Sequence, residues 1–97
     1  MITRFEWDPS KNAANQRKQN IRFEDAAAVF SDPLHLSTLD GVEGGEDRWK
    51  TFGYVDGFAL ILVVHTYRDS ENVEVIRLIS SRRATRQERK QHERQND

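Results

Sequence analysis

The sequence predicts an α+β fold in which helices flank an antiparallel β-sheet. Two short helical segments lie in the first third of the chain, four extended segments follow between residues 34 and 80, and a last helix comes after them. Tight turns join the four extended segments, and strands joined in this way pair antiparallel. We expect the helices to group on one face of this sheet and so to make an α+β sandwich.

The length and composition bound the kind of protein that this chain can be. Its 97 residues make one domain, residues 1–97, with 36% hydrophobic and 32% charged residues. There is no cysteine, which excludes disulfides and cysteine nucleophiles and fits a reducing compartment. The N-terminus has no apolar signal region, and the longest apolar run, Phe58–Val64, is strand-sized. We therefore expect a cytoplasmic protein with no membrane partner.

The first elements are predicted from short-range signals. Ile2–Trp7 is short, aromatic and alternating, which favours an edge strand. A helix should follow, because Asp8 is a good N-cap and Pro9 suits the first helical position. This helix is expected to run to Gln19 and to end at Asn20, a residue type that tolerates the left-handed conformation.

The remaining elements are predicted from hydrophobic spacing and from turn residues. Phe23–Phe30 has apolar residues three and four positions apart, which indicates a second helix that ends before Pro33. The four strands are Leu34–Leu39, Arg48–Tyr54, Phe58–Tyr67 and Val73–Ser80, with turns at Asp40–Asp47, Asp56-Gly57 and Arg68–Asn72. Phe58–Tyr67 is apolar on both faces for most of its length and should be central. Thr85 begins the last helix, with Glu88 completing a capping box.

Positive charge is concentrated near the end of the chain. Between residues 77 and 94, seven basic residues oppose two acidic ones, for a net charge of +5, whereas the whole chain sums to −1. The seven are Arg77, Arg82, Arg83, Arg86, Arg89, Lys90 and Arg94. Segregated charge of this kind indicates a surface that binds a phosphate backbone.

Arg77 is the most informative basic residue. Alternation divides the last strand into two faces, with Val73, Val75, Arg77 and Ile79 on one and Ile76, Leu78 and Ser80 on the other. An arginine among apolar neighbours is costly to bury unless it is paired or lines a cleft. Arg77 is therefore either ion-paired, for example with Glu46 or Glu74, or held on a rigid strand to clamp a phosphate.

A histidine and two further arginines are predicted to lie near Arg77. His65 ends the central strand, and its side chain is either a proton-transfer group or a core histidine bound to a backbone carbonyl. Arg82 and Arg83 occupy the predicted turn between the last strand and the helix that begins at Thr85, whose free N–H groups add partial positive charge. These groups form either an anion pocket or ordinary solvated charge.

Further charged residues complete the predicted site. Glu46 is a candidate general base and Arg48 a second phosphate contact, although charges at a strand start also serve as simple ion pairs. Three helical residues provide either a field for nucleic acid or a contact face for an acidic protein: Arg86, Arg89 and Lys90. No histidine pair has ligand spacing and there is no HExxH, so we expect neither a metal nor a cofactor.

Several motifs occur together in the order typical of one family. They are Phe5–Lys11 (FEWDPSK), Asn15, Phe23–Ala26 (FEDA), Phe30–Pro33 (FSDP), Glu46–Trp49 (EDRW), Gly53, Val63–Thr66 (VVHT), Arg77–Ala84 (RLISSRRA) and Glu88-Arg89. With these motifs, nearly the whole chain resembles the BrnT toxin family of bacterial type II toxin–antitoxin systems. The resemblance implies a RelE-like antiparallel β-sheet flanked by two N-terminal helices and a C-terminal helix.

The resemblance also implies an activity and a partner. It implies a metal-independent endoribonuclease that cuts mRNA, free or ribosome-bound, and so inhibits translation and growth. It implies a ribbon-helix-helix antitoxin whose dimer binds the toxin in a hetero-oligomer and alone contacts the operator DNA. The family's charged positions correspond to His65, Arg77, Arg82 and Arg83 and also to Glu46 and Arg48.

The chain departs from the family pattern at three places. Lys18-Gln19-Asn20 stands where Lys-His-Gly is usual, and Arg22 stands where a serine or threonine commonly caps the second helix. His92 replaces a tyrosine often found in the last helix. These departures affect the catalytic details more than the fold.

Cleavage by attack of a ribose 2′-OH on the adjacent phosphate needs proton transfer and positive charge. We expect His65 to act as base or acid, with Glu46 or Lys18 as the second proton-transfer group. Arg77 with Arg82 or Arg83 would stabilise the developing charge, and Lys18, Arg48 and the last helix would hold RNA. The alternative is a non-catalytic module that binds an antitoxin or RNA; a DNA-binding regulator is disfavoured because no helix–turn–helix spacing occurs.

Overall fold

Five strands form one sheet in the computed structural model, which describes residues 2–57 and 59–96. The strands are β1 (Ile2–Glu6), β2 (Leu36–Glu43), β3 (Glu46–Val55), β4 (Ala59–Ser70) and β5 (Val73–Arg83). The helices are α1 (Pro9–Gln19), α2 (Phe23–Ala26), which continues as a 3₁₀ turn over Ala27–Ser31, and α3 (Arg86–Gln95). The predicted α+β fold is confirmed.

The sheet has the order β1-β5-β4-β3-β2. Strands β2 to β5 pair antiparallel with their neighbours, as predicted, and β4 is central. Strand β1 lies at the edge, but it pairs parallel with β5, from Ile2 opposite Val73 to Glu6 opposite Arg77. A parallel pair needs a long connection between its two strands, and here residues 7–72, which include α1, α2 and strands β2 to β4, provide it.

The helix boundaries follow the predicted caps. The Asp8 carboxylate accepts a hydrogen bond from the Ser10 N–H at 2.9 Å, and Asn20 adopts the left-handed conformation with φ 59°. Thr85 and Glu88 form the capping box of α3. Arg22 gives α2 no side-chain cap. Instead, a residue of α1, Asn12, accepts the hydrogen bond of the Phe23 N–H through its amide oxygen at 2.8 Å.

The strands extend further into the predicted turns than expected. Most of the predicted turn Asp40–Asp47 is strand, and Gly44 and Gly45 alone separate β2 from β3. The predicted turn Arg68–Asn72 shrinks to Glu71 and Asn72, which both have positive φ, because Ser70 already pairs with Val73. The predicted start of the central strand at residue 58 lies outside the described residues.

A bulge in β5 corrects the predicted faces of that strand. The register passes from His65 opposite Leu78 to Val64 opposite Ser80, so Ile79 is an extra residue. Strict alternation predicted that Ser80 shares a face with Leu78, but the extra residue places Ser80 on the opposite face. Beyond the bulge the next residue, Ser81, joins the buried side, where Asn15 of α1 accepts from its N–H at 3.0 Å.

The two faces of the sheet differ in what covers them. The covered face packs against α2 and the 3₁₀ turn, and its core consists of Phe23, Ala26, Val29, Ile61, Val63, Ile76 and Leu78. Gly53 permits this packing, because a Cβ there would lie 2.7 Å from Cγ1 of Val29. The open face is the opposite side, which α3 contacts through His92 and Glu88. The prediction that the helices group on one face is therefore wrong, because the partners of His92 and Glu88 lie on the side away from α2.

Candidate nucleic-acid interface on the open face

The strand register assigns the predicted site residues to different faces. Arg77 lies opposite Thr66, whereas His65 lies opposite Leu78 on one side and Trp49 on the other. Paired residues share a face and successive residues alternate. Arg77 and Thr66 are therefore on the open face, and His65 is on the covered face with Leu78.

His65 is a core residue with no access to solvent. It is 0% exposed, and its Nε2 lies 2.6 Å from the Thr51 hydroxyl, which lies 2.7 Å from the Ser37 hydroxyl. The rings of Phe30 and Tyr67 flank it edge-on at 4.8 Å. Burial lowers the pKa of His65 to about 4, so the ring is neutral near pH 7. The prediction that His65 shares a solvent-reachable hollow with the arginines is wrong, and the alternative of a core histidine fits the structure.

Arg77 is accessible and only weakly held. Its side chain is 44% exposed, and its Nη1 lies 3.4 Å from a carboxylate oxygen of Glu6, on the adjacent strand β1. Arg68 reaches the same oxygen at 3.3 Å. The partner of Arg77 is thus neither Glu46 nor Glu74. Exposed ion pairs contribute at most about 1 kcal/mol, so a phosphate can replace Glu6 at little cost.

Arg82 and Arg83 diverge and do not form one anion pocket. Arg82 lies opposite Leu62 on the open face and binds both carboxylate oxygens of Glu88, at 2.8 and 3.0 Å. Hydrogen bonding from Arg82 lowers the pKa of Glu88 to about 2. Arg83 lies opposite Ile61 on the covered face. Both arginines lie within β5, which extends to Arg83, and not in a turn as predicted, so alternation along the strand separates them.

Glu46 and Arg48 lie near the hairpin that joins β2 and β3. Glu46 is exposed and opposes Glu43 across the hairpin. Arg48 is 27% exposed in its side chain, and its Nε lies 3.3 Å from a Glu43 carboxylate oxygen. Since the next residue, Trp49, lies on the covered face opposite His65, Arg48 projects from the open face, as Arg77 does.

Sequence reasoning missed Lys50, which belongs to the same surface. It lies opposite Val64, and Val64 lies opposite Ser80, so the three form a row across the open face. A cleft of about 210 Å³ continues this row between α1 and β5, where Lys18 and Arg82 are among its lining residues. The available signal was the spacing, because Lys50 is two positions from Arg48 and therefore on the same face.

The last helix presents charge outward and one histidine inward. Arg86, Arg89 and Lys90 are exposed. His92 is 3% exposed and contacts the rings of Phe52 and Tyr54, at 6.3 and 5.5 Å between centroids. Burial lowers the pKa of His92, so its ring is also neutral near pH 7.

Within residues 2–57 and 59–96, no group of three or more histidine and acidic side chains has an arrangement that could hold a metal ion. Across that same part of the chain, no helix has the length and apolarity needed to cross a membrane.

Comparison with known protein families identifies one family. Residues 7–88 match the family described as ribonuclease toxin, BrnT, of type II toxin–antitoxin system. A solved structure, the ribonuclease toxin BrnT of Brucella abortus, is similar with a TM-score of 0.62 and 23% sequence identity. The alignment covers 89% of this chain and 100% of that one; at this identity it establishes the likeness of fold. No curated protein sequence matches the chain significantly.

Proposed function

The chain belongs to the BrnT family of ribonuclease toxins of type II toxin–antitoxin systems, and from that premise we propose that it cuts RNA internally on the open face of its sheet, without a metal ion. One observation carries this proposal: Lys18, Arg48, Lys50 and Arg77 converge on that face from α1, β3 and β5. RNA is held mainly through its phosphates, and arginine suits them because it donates two parallel hydrogen bonds.

The acidic partners of these cations are exposed enough to give way to RNA. Glu43, which pairs with Arg48, has a side chain 70% exposed. Glu6 is shared between Arg68 and Arg77. A phosphate that displaces either carboxylate gains charge-assisted hydrogen bonds and breaks only a screened pair. The surface is therefore suited to exchange carboxylates for RNA phosphates.

The chemistry we propose is attack of a ribose 2′-OH on the neighbouring phosphate, which forms a 2′,3′-cyclic phosphate and breaks the bond from phosphorus to the 5′-oxygen. The 2′-OH proton passes to Glu46, and the leaving 5′-oxygen takes a proton from water. Arg77 and Arg48 stabilise the charge that develops on the phosphate oxygens, a role in which one well-placed donor typically supplies about 3 kcal/mol. Glu46 keeps its proposed role as proton acceptor, because it is exposed and on the same face as Arg48. His65 is buried behind the sheet and supports the site by ordering the core. Lys18, Arg86, Arg89 and Lys90 add to the field that attracts RNA.

Replacing Arg77 by alanine tests the proposal directly. RNA extracted after induced expression should be fragmented by the parent protein and intact with Arg77→Ala, with a loss of cleavage of 100-fold or more, as expected for removal of a donor to the developing charge. Arg22→Ala is the matched control, because Arg22 is also an exposed arginine paired with a carboxylate, at 3.2 Å from Asp25, but belongs to the covered side. Equal cleavage by Arg77→Ala and the parent would refute the site.

Membership of a type II family implies an antitoxin partner. We propose that this antitoxin is a ribbon-helix-helix protein, that its dimer binds the toxin in a cytoplasmic hetero-oligomer, and that operator DNA is contacted through it alone. Light scattering of the co-expressed pair measures the composition of the complex. A toxin that elutes alone from co-expressing cells would contradict this part of the proposal.

A second candidate is a binding module of the same fold that does not cut. The observation in its favour is that His65 and His92, the histidines predicted or found near the site, are both buried. Growth arrest without RNA fragments, together with RNA binding that Arg77→Ala weakens, would favour this candidate over the nuclease.

A further inference from the structure

A second cleft opens on the open face, between α3 and the strands β2 and β3. Its volume is about 270 Å³. Six of its lining residues are Leu36, Lys50, Phe52, Gln91, His92 and Gln95. Lys50 also belongs to the row of residues that continues toward Ser80 and Lys18. The cleft is therefore contiguous with the surface that we propose for RNA phosphates.

The lining of this cleft combines an aromatic wall with free amide groups. The rings of Phe52 and His92 lie 6.3 Å apart and tilted by 44°. Gln91 and Gln95 are four residues apart on α3, so their side chains are neighbours on one side of the helix. Within the part of the chain that the structure describes, neither amide makes a side-chain hydrogen bond. Both are available as donors and acceptors to a ligand.

The charge around the cleft favours a ligand that places a neutral ring inside the cleft and a phosphate next to Lys50. Glu88 also lines it, but both of its oxygens are bound by Arg82, so it offers little repulsion. Lys50 supplies a positive charge where the cleft meets the row toward Ser80. The volume is below the 300–1,000 Å³ that is usual for drug-sized ligands, which suits one flat ring system with its attached phosphate outside.

We propose, on the premise of the function above, that this cleft binds one unstacked base of single-stranded RNA and thereby sets a nucleotide preference. Proteins read such bases by stacking them on aromatic side chains and by hydrogen bonds to their edges. Phe52 supplies the stacking surface, Gln91 and Gln95 read the base edge, and Lys50 binds the adjoining phosphate. The backbone then continues toward Arg77 and Lys18 on the open face.

Nucleoside 5′-monophosphates are the direct probe of this cleft. Amide shifts of the ¹⁵N-labelled full chain, followed during titration with AMP, GMP, CMP and UMP, should move at Lys50, Phe52, Gln91 and Gln95. Ribose 5-phosphate, which lacks a base, should move Lys50 alone. The double variant Gln91→Ala/Gln95→Ala should weaken the best nucleotide at least 10-fold.

Gln87→Ala is the matched control, because Gln87 is an exposed glutamine of the same helix that does not line the cleft. It should bind nucleotides as the parent does. Equal response to ribose 5-phosphate and to all four nucleotides would overturn the base cleft. So would shifts that appear at these residues only on addition of the antitoxin, which would identify a protein side chain as the occupant.

Mapping of RNA cleavage ends separates this inference from the proposed function. The double glutamine variant should cut with the base preference at one position reduced at least 10-fold, whereas Arg77→Ala should lose cleavage at all positions. If Arg77→Ala abolishes cleavage and the glutamine variant keeps the parent's preference, the base cleft is wrong and the nuclease stands. If the parent cuts nothing but nucleotides bind the cleft, the nuclease is wrong and the cleft stands.

Discussion

His65 and Arg77 lie on adjacent positions of neighbouring strands, yet their side chains point to opposite sides of the sheet. His65 opposes Leu78, the residue after Arg77. The core surrounds His65 with Phe30, Tyr67 and Thr51, where a charged imidazolium would lose its hydration without gaining a carboxylate. The pKa of about 4 for His65 is therefore a property of core packing, and it links protonation to unfolding.

This linkage predicts an acid-sensitive fold. The unfolded chain binds a proton at His65 below its usual pKa of 6.5, whereas the folded chain does so only near 4. Stability contributed by the neutral ring is thus complete above pH 6.5 and is lost as the pH falls toward 4, at a cost of about 3 kcal/mol. Urea unfolding of the parent and of His65→Gln, measured from pH 7 to pH 4, should show a steeper loss in the parent. If the free energy of unfolding falls with pH equally in both proteins, His65 does not cause the acid sensitivity.

At the scale of elements, the features that depend on neighbouring residues could be predicted from the sequence, whereas those that depend on distant residues could not. The caps at Asp8 and Thr85 were found because each depends on residues within three positions of itself. The parallel pairing of β1 joins residues that are 71 positions apart in the chain, and the bulge at Ile79 depends on how β4 and β5 align. Because that bulge shifts the alternation, it also decides that Arg82, and not Arg83, lies on the open face with Arg77, which no local pattern shows.

The carboxylate of Glu88 makes two kinds of contact at the start of α3. Glu88 accepts the Thr85 N–H at 2.8 Å in the capping box and also binds Arg82 on β5. Glu88→Ala should therefore destabilise the protein by about 1–2 kcal/mol, as loss of a cap with an added ion pair does. Thermal unfolding at pH 7 measures this effect. Glu93→Ala, an exposed position on the same helix, should leave the midpoint within about 1 °C, and an equal drop in both variants would refute the specific role of Glu88.

At the scale of the whole molecule, the positions of the charges on the faces of the sheet matter more than the net charge. The chain sums to −1, so its overall charge does not attract RNA. Arg48, Lys50 and Arg77 nevertheless project from the open face of the sheet, part of which α3 covers, and Lys18 lines the cleft beside it. The composition indicated a basic C-terminal segment, but the structure divides that segment between the open face, the covered face and the outer side of α3. The proposed RNA surface therefore includes residues of β3 and α1 as well as residues of the basic segment.

This sorting predicts how RNA binding responds to salt. Each phosphate neutralised on single-stranded RNA contributes about −0.7 to the slope of log K against log salt. If each of the four cations Lys18, Arg48, Lys50 and Arg77 replaces one counterion of the RNA, a non-cleavable RNA should show a slope of about −3, and Arg77→Ala or Lys50→Ala should each reduce its magnitude by about 0.7. Arg22→Ala removes the same charge from the covered side and should leave the slope unchanged. Fluorescence anisotropy between 50 and 300 mM KCl measures these slopes; equal reductions for all three variants would mean that RNA senses the net charge of the protein and that the open face is not its binding surface.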